Sequence, residues 1–304
     1  MLSLRLQVIT LILLVVGCSK PPIRVQSVVL QTPDGPARGV VAHVDLSRVD
    51  VVVSTGDETT ADDDRFPLQS TLAFALETDS DLAFNANYYG NLSDGRADPV
   101  GSVSNASVVG SPARSFGGAF DPAIVFAGAR AVVLTAYDDG TGPTTRPAGV
   151  SQLRALLGET APPINPEPRF VENLLRADSV AGVGASDTQP DLGTLLLLDG
   201  ANLGTTARVQ PLNRNPRTAA GVTADGRTLI VMVIDGRQPG HSVGVTLPEL
   251  ADLMKRHGAD DALNLDGGGS STFVHRTSDG TLRTNRPSDG DFRHVAVSVG
   301  IREK

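Results

Sequence analysis

The sequence predicts a single large α+β domain, a mixed β-sheet packed with a few helices. Three observations carry that expectation. Short Val-rich runs recur between turn residues, as strands do. One segment, 247–257, has the apolar spacing and the end residues of an amphipathic helix. A 40% apolar fraction over 304 residues is ample for one buried core. Composition also narrows function. A charged fraction of 20% is ordinary for a globular chain, which excludes wholesale disorder. The net charge of −8 argues against a nucleic-acid partner, because phosphate backbones attract basic faces. Only three of the 26 basic residues are Lys (Lys20, Lys255 and Lys304). Arg suits bidentate recognition of phosphate or carboxylate, although a G+C-rich genome produces the same bias.

Taken in order, strands are expected over 25–31, 39–46 and 49–54, divided by Pro33-Asp34-Gly35 and similar turn residues. Asp62, Asp63 and Asp64 form an acidic run that reads as a solvated loop, with structural calcium left open. A helix is expected over 68–76, then a strand over 82–89 and a hairpin of 124–126 with 131–136 around Gly128. Segment 138–169 is rich in Pro and Gly around one helical patch, 153–157, and reads as a surface insertion. Strands recur at 194–198, 221–223 and 229–234. The 247–257 helix opens on a capping box, Thr246 with Glu249, and stops at Gly258. Leu247, Leu250, Ala251 and Met254 share its apolar face. Strands at 263–265, 272–275 and 295–301 close the chain, with a turn at Ser278-Asp279-Gly280. There is no internal repeat.

The first twenty residues carry an address. Arg5 precedes an apolar run, 6–16, that is too short to span a bilayer of about 30 Å. Val15-Val16-Gly17-Cys18 then resembles the lipobox of a bacterial lipoprotein signal. On that resemblance residues 1–17 are removed, Cys18 is lipidated, 18–24 is a tether and 25–304 is the working domain at the cell envelope. An ordinary signal peptide with a chance Cys is the alternative. Cys18 is the only Cys, so neither an internal disulfide nor a Cys-rich zinc site is available. No later run approaches eighteen apolar residues.

Four polar clusters adjoin apolar runs, 85–89, 215–218, 235–237 and 264–271, the last two with glycine. The last, Asn264-Leu-Asp266-Gly267-Gly268-Gly269-Ser270-Ser271, allows backbone N–H groups to approach an anion closely. It is neither a Walker A loop nor a nucleophile elbow, and a plain tight turn explains it equally well. Arg217 beside Pro216 and Thr218 is the best anion ligand, against the reading of a solvated charge. Asp235 and Arg237 flank a glycine, as ordinary turns also do. The five His (His43, His241, His257, His275 and His294) lie in separate segments, so no metal ligand set is expected. No cofactor motif occurs.

In their order along the chain, 215–219, 222–226, 233–237, 246–251 and 264–271 resemble the signature of the phosphodiester glycosidase family. The 285–290 segment with Arg293 is similar to its closing loop, and 180–184 with 195–200 to its glycine-rich strand pair. Asn85-Ala-Asn87-Tyr-Tyr89 is similar to a further motif, with Asn87 where the family has glycine. The 138–169 insertion is the other departure. The resemblance implies a sugar 1-phosphodiester substrate. It implies Asp266 as the first choice of catalytic carboxylate and Asp235 as the second, and Arg217, with Arg237 or Arg293, as the anion contact. The N–H groups of Gly267, Gly268 and Gly269 would take a phosphate oxygen. Asn85, Thr218, Asn264, Ser270, Ser271 and Asp289 would face the sugar or orient the carboxylates. Two other functions stay open. One is a non-catalytic lipoprotein that binds glycans or assists exopolysaccharide assembly, disfavoured by 4% aromatics and no Trp. The other is a metal-dependent phosphodiesterase that cuts P–O rather than C–O.

Overall fold

One strand explains the layering. Thr228–Ile234 alternates between two cores, with Leu229, Val231 and Val233 in one and Ile230, Met232 and Ile234 in the other. A strand covered on both faces must be apolar at successive positions, which is why it reads as a continuous run. The computed structural model describes residues 20–55, 65–101, 103–105, 108–111, 115–116, 119–120, 122–134, 136–138, 143–145, 180–184, 194–207 and 210–304.

That strand is third in a seven-stranded sheet. The order is Ile23–Thr32, Gly35–Asp45, Thr228–Ile234, Arg217–Val222, Asp261–Asn264, Leu195–Leu198 and Ala201–Asn202. Two α-helices occur among the described residues, α1 (Thr71–Glu77) and α2 (Leu247–Arg256). Helix α2 lays Leu247, Leu250, Ala251 and Met254 into the core on one face of this sheet. The other face meets a five-stranded sheet ordered Leu282–Thr284, Phe273–Arg276, Leu82–Asn85, Ser298–Glu303 and Val49–Val53. Phe84, Phe273 and Val299 fill the space between. Ala75 of α1 packs on Ala83 and Val274, covering that second sheet from outside. A third sheet, which includes the hairpin Ala123–Ala127 with Arg130–Leu134, adds Ile124, Phe126 and Val133 to the shared core.

The α+β expectation is corrected toward a β-rich domain, since helices only cap stacked sheets. Every pairing among the described residues is antiparallel, as in Ile23–Thr32 with Gly35–Asp45 and Thr228–Ile234 with Arg217–Val222. The chemistry of the turns accounts for the pairs between chain neighbours. A two-residue turn at Pro33-Asp34 and one at Gly128, where φ is +56°, join neighbours as hairpins, and a hairpin can only pair antiparallel.

Helix ends follow their caps. The Thr246 hydroxyl accepts from Glu249 N at 3.3 Å and the Glu249 carboxylate accepts from Thr246 N at 3.0 Å, which fixes the start of α2. Helix α1 starts at Thr71 rather than 68, because the Ser70 hydroxyl caps it and Gln69–Ser70 is drawn into a pair with His294–Val295. Three strands also differ from expectation, the 295–301 strand being divided into His294–Val295 and Ser298–Glu303. The 221–223 strand starts at Arg217, and the 82–89 strand ends at Asn85, beyond which Tyr89–Ser93 pairs with Arg96–Pro99. Residues 1–17, Cys18 and the acidic run 62–64 lie outside the described residues, as does most of 138–169. Among the described residues no helix is long and apolar enough to cross a membrane.

Candidate functional site

The site forms where the two large sheets meet. Asn85, at the end of the central strand Leu82–Asn85, is fully buried. Its amide NH₂ donates to the Asp266 carbonyl at 2.7 Å, and its oxygen accepts from the Thr218 hydroxyl at 2.8 Å and from Thr272 N at 2.9 Å. Asp266 N donates in turn to Ala86 O at 2.8 Å, and Leu265 N to Thr218 O at 2.8 Å. The backbone of Asp266 is therefore clamped on both sides. Asn85 and Thr218 act beneath the site rather than in it.

After Asp266 the chain makes a short 3₁₀ turn, Gly268–Ser270. Gly268 has φ +61°, where an L side chain is strained, and its N–H donates to Pro216 O at 2.9 Å. At Gly269 a Cβ would overlap the Asp289 carboxylate and the Arg293 guanidinium, which pair with each other across it. Gly269→Ala should push that pair off the turn while the sheets stay intact. About a tenfold rise in KM, with little change in thermal midpoint, is expected from steady-state kinetics and melting.

Tyr88, Tyr89, Asp266, Ser270 and Arg293 line a cleft of about 580 Å³. Burial raises the Asp266 carboxyl to about 7, against the opposing pull of the Ser270 hydroxyl, the Arg293 guanidinium and the Gly267 N–H. Burial also raises the Tyr89 phenol, and the Asp266 charge raises it further. Tyr89 Oη donates to His294 O at 3.1 Å. Burial works against the Arg293 charge, but its contact with Asp289 more than restores it, so its pKa sits above the usual value. Below the cleft floor, the fully buried Asn264 donates to Tyr88 Oη at 2.6 Å.

The other expected residues sit apart from this cleft. Arg217 is 3% exposed and donates to the carbonyls of Gln210 (2.8 Å), Asn213 (3.1 Å) and Val245 (3.4 Å), so it braces the loop before its own strand. Burial lowers its pKa. Arg237, at φ +56°, gives its Nε–H and one NH₂ to Asn215 Oδ1 and rests against Gly268. Asp235 is buried and accepts from His241, Asn285 and Arg286. The Ser271 hydroxyl is buried behind the turn. Of the expected residues, Asp266, Ser270 and Arg293 meet at the cleft, with Asp289 at its rim. Tyr88 and Tyr89 are cleft residues to which sequence reasoning gives no role. Two of the three Tyr in the chain standing side by side at a strand end was the available signal. One group of carboxylates, Asp199, Asp260 and Asp261, lies within 4.8 Å among the described residues. It stands at the opposite end of Asp261–Asn264 from Asp266.

The domain is a stack of antiparallel sheets with a carboxyl and a guanidinium lining one cleft. The chain belongs to the phosphodiester glycosidase family, whose family model matches residues 144–302. The fold is similar to the catalytic domain of zebrafish N-acetylglucosamine-1-phosphodiester alpha-N-acetylglucosaminidase auto-inhibited by its pro-peptide. That comparison has a TM-score of 0.63 and 17% identity, covering 94% of this chain and 85% of that one. A Burkholderia pseudomallei K96243 protein described as exported is similar at a TM-score of 0.61 and 19% identity, covering 90% and 75% of the two chains. In sequence, the SPbeta prophage-derived protein YomE of Bacillus subtilis strain 168 is 35% identical over 101 residues, 29% of this chain and 15% of that protein.

Proposed function

We propose that this protein hydrolyses a sugar 1-phosphodiester, of the N-acetylglucosamine-1-phosphodiester kind, and releases free sugar. The observation that carries the reading is the Asp266 carboxyl, held near 7 beside Arg293 in the cleft. A diester carries one negative charge, which suits the half-exposed Arg293 guanidinium. The ionised Asp266 takes a proton from a water whose oxygen attacks C1, or attacks C1 itself to form a glycosyl ester that water then hydrolyses to free sugar and the carboxylate. The C1–O electron pair leaves with the phosphate, giving a phosphate monoester. That leaving group is a weak base, so it departs without the protonation that an alcohol needs. Cys18 lipidation would place this chemistry at the cell envelope, on a surface or periplasmic glycan.

The test is incubation with an N-acetylglucosamine-phospho-sugar in ¹⁸O-water. Label in the released N-acetylglucosamine supports C–O cleavage. Label in phosphate means a phosphodiesterase, and binding without turnover means a glycan-binding module. Only the ionised Asp266 can act, so kcat/KM should rise as pH passes upward through about 7. A profile flat from pH 5 to 9 would remove Asp266 from this role.

A further inference from the structure

The 286–293 loop that brings Asp289 and Arg293 to the cleft is largely exposed, so its position depends on how its ends are held. At its far end His294 pairs with Ser70, and its carbonyl accepts from Tyr89. At its near end the anchor is Asp235. One carboxylate oxygen accepts from Arg286 N at 3.2 Å and from Asn285 Nδ2 at 3.1 Å, and the other accepts from His241 Nε2 at 2.8 Å. Asn285 is itself locked, because its Nδ2 also donates to Ser271 O at 3.0 Å and its Oδ1 accepts from Phe273 N at 2.8 Å. Gln238 adds a bond to Arg286 O at 3.0 Å. The backbone of Asp235 is fixed as well. Its N–H donates to Arg38 O at 2.8 Å and its carbonyl accepts from the Ser242 hydroxyl.

We propose that Asp235, oriented by His241, is the latch that sets the 286–293 loop over the cleft, a positioning residue that never touches substrate. Asp235 is 6% exposed and does not line the cleft, and its carboxylate already serves three donors. With both oxygens taken by donors, the carboxylate has no lone pair turned to the cleft. It is a strong acceptor for a backbone N–H at the root of a loop. The kinetic part of this inference rests on the proposed hydrolysis, whereas the structural part does not.

The experiment pairs amide hydrogen exchange over 286–293, without substrate, with steady-state kinetics. Asp235→Ala should speed exchange in that segment and raise KM about tenfold or more, the cost of a lost charge-assisted hydrogen bond, with a smaller change in kcat. Asp235→Asn keeps an oxygen for Arg286 N while its NH₂ faces the other His241 tautomer. It should therefore restore slow exchange and retain most of kcat. His241→Ala keeps the Asp235 carboxylate and should loosen the loop partway, which also serves if Asp235→Ala fails to fold. The proposal is overturned if Asp235→Asn removes kcat as completely as Asp266→Asn, or if exchange over 286–293 is unchanged in both Asp235→Ala and His241→Ala. A protein inactive on every phosphodiester would sink the function while the exchange result still decides the latch.

Discussion

Replacing Asp266 with Asn should destroy activity and, at neutral pH and above, make the protein more stable. The sign follows from linkage. The unfolded carboxyl titrates near 3.8 and the folded one near 7. Well below pH 3.8 both states are protonated and the burial of the charge costs nothing. Between those two values the unfolded chain sheds a proton that the folded one keeps. Folding then weakens by about 1.4 kcal/mol per pH unit, to a total of up to about 4 kcal/mol above pH 7. Asn escapes that penalty and preserves the clamp on the backbone, which uses only main-chain atoms of residue 266. Urea unfolding of the two proteins should give similar stabilities at pH 4 and a clear advantage for Asp266→Asn at pH 8. The accompanying loss in kcat is expected at about 10²–10⁴-fold, the usual worth of a positioned general base. An advantage equal at both pH values would mean that the carboxyl is not held neutral by burial. Such a residue would be kept for chemistry at the expense of stability.

Arg217→Ala should do the reverse and cost stability first. It would remove the guanidinium donor from the carbonyls of Gln210, Asn213 and Val245, of which Gln210 and Val245 keep a backbone N–H from Asn213 and Asn215. At a net worth of about 1 kcal/mol for each hydrogen bond lost, a destabilisation of about 3 kcal/mol is expected. Arg217→Lys should recover little, because a single ammonium cannot reproduce the planar fork that spans separated carbonyls. Denaturation with and without inorganic phosphate separates this from an anion-binding role. Bracing predicts the same loss with or without phosphate. An anion site at Arg217 predicts that phosphate stabilises the parent protein and not the variant.

The comparison of these two residues shows how far a sequence reaches. Both stand in polar segments that adjoin apolar runs, and the sequence marks both as site residues. The reading held where the information is carried by near neighbours in the chain. Thr246 and Glu249 mark the start of α2, Gly128 marks a hairpin, and Gly258 with φ +96° follows the helix end. The signature order along 215–290 also pointed to the family, since it needs only spacing. What it lacked was depth. Asn85, Thr218 and Asn264 have the residue types of sugar ligands, yet they are fully buried and serve the junction between sheets. The chain also gave no sign that Asp235 would find Asn285, fifty residues on, as the root of a loop.

The sequence by itself determined the turns, the caps, the apolar strands and the segment that holds the carboxylate, because each is set by conformational preferences over a few residues. Only the tertiary structure decided which of two similar aspartates lines the cleft and which is enclosed by donors. That choice depends on the register of strands whose partners lie 50 to 180 residues away, as with Asn85 and Asp266 or Asp235 and Asn285. Burial sets the pKa of one carboxyl, and hydrogen-bond donors occupy the other. Neither condition exists until the sheets have stacked.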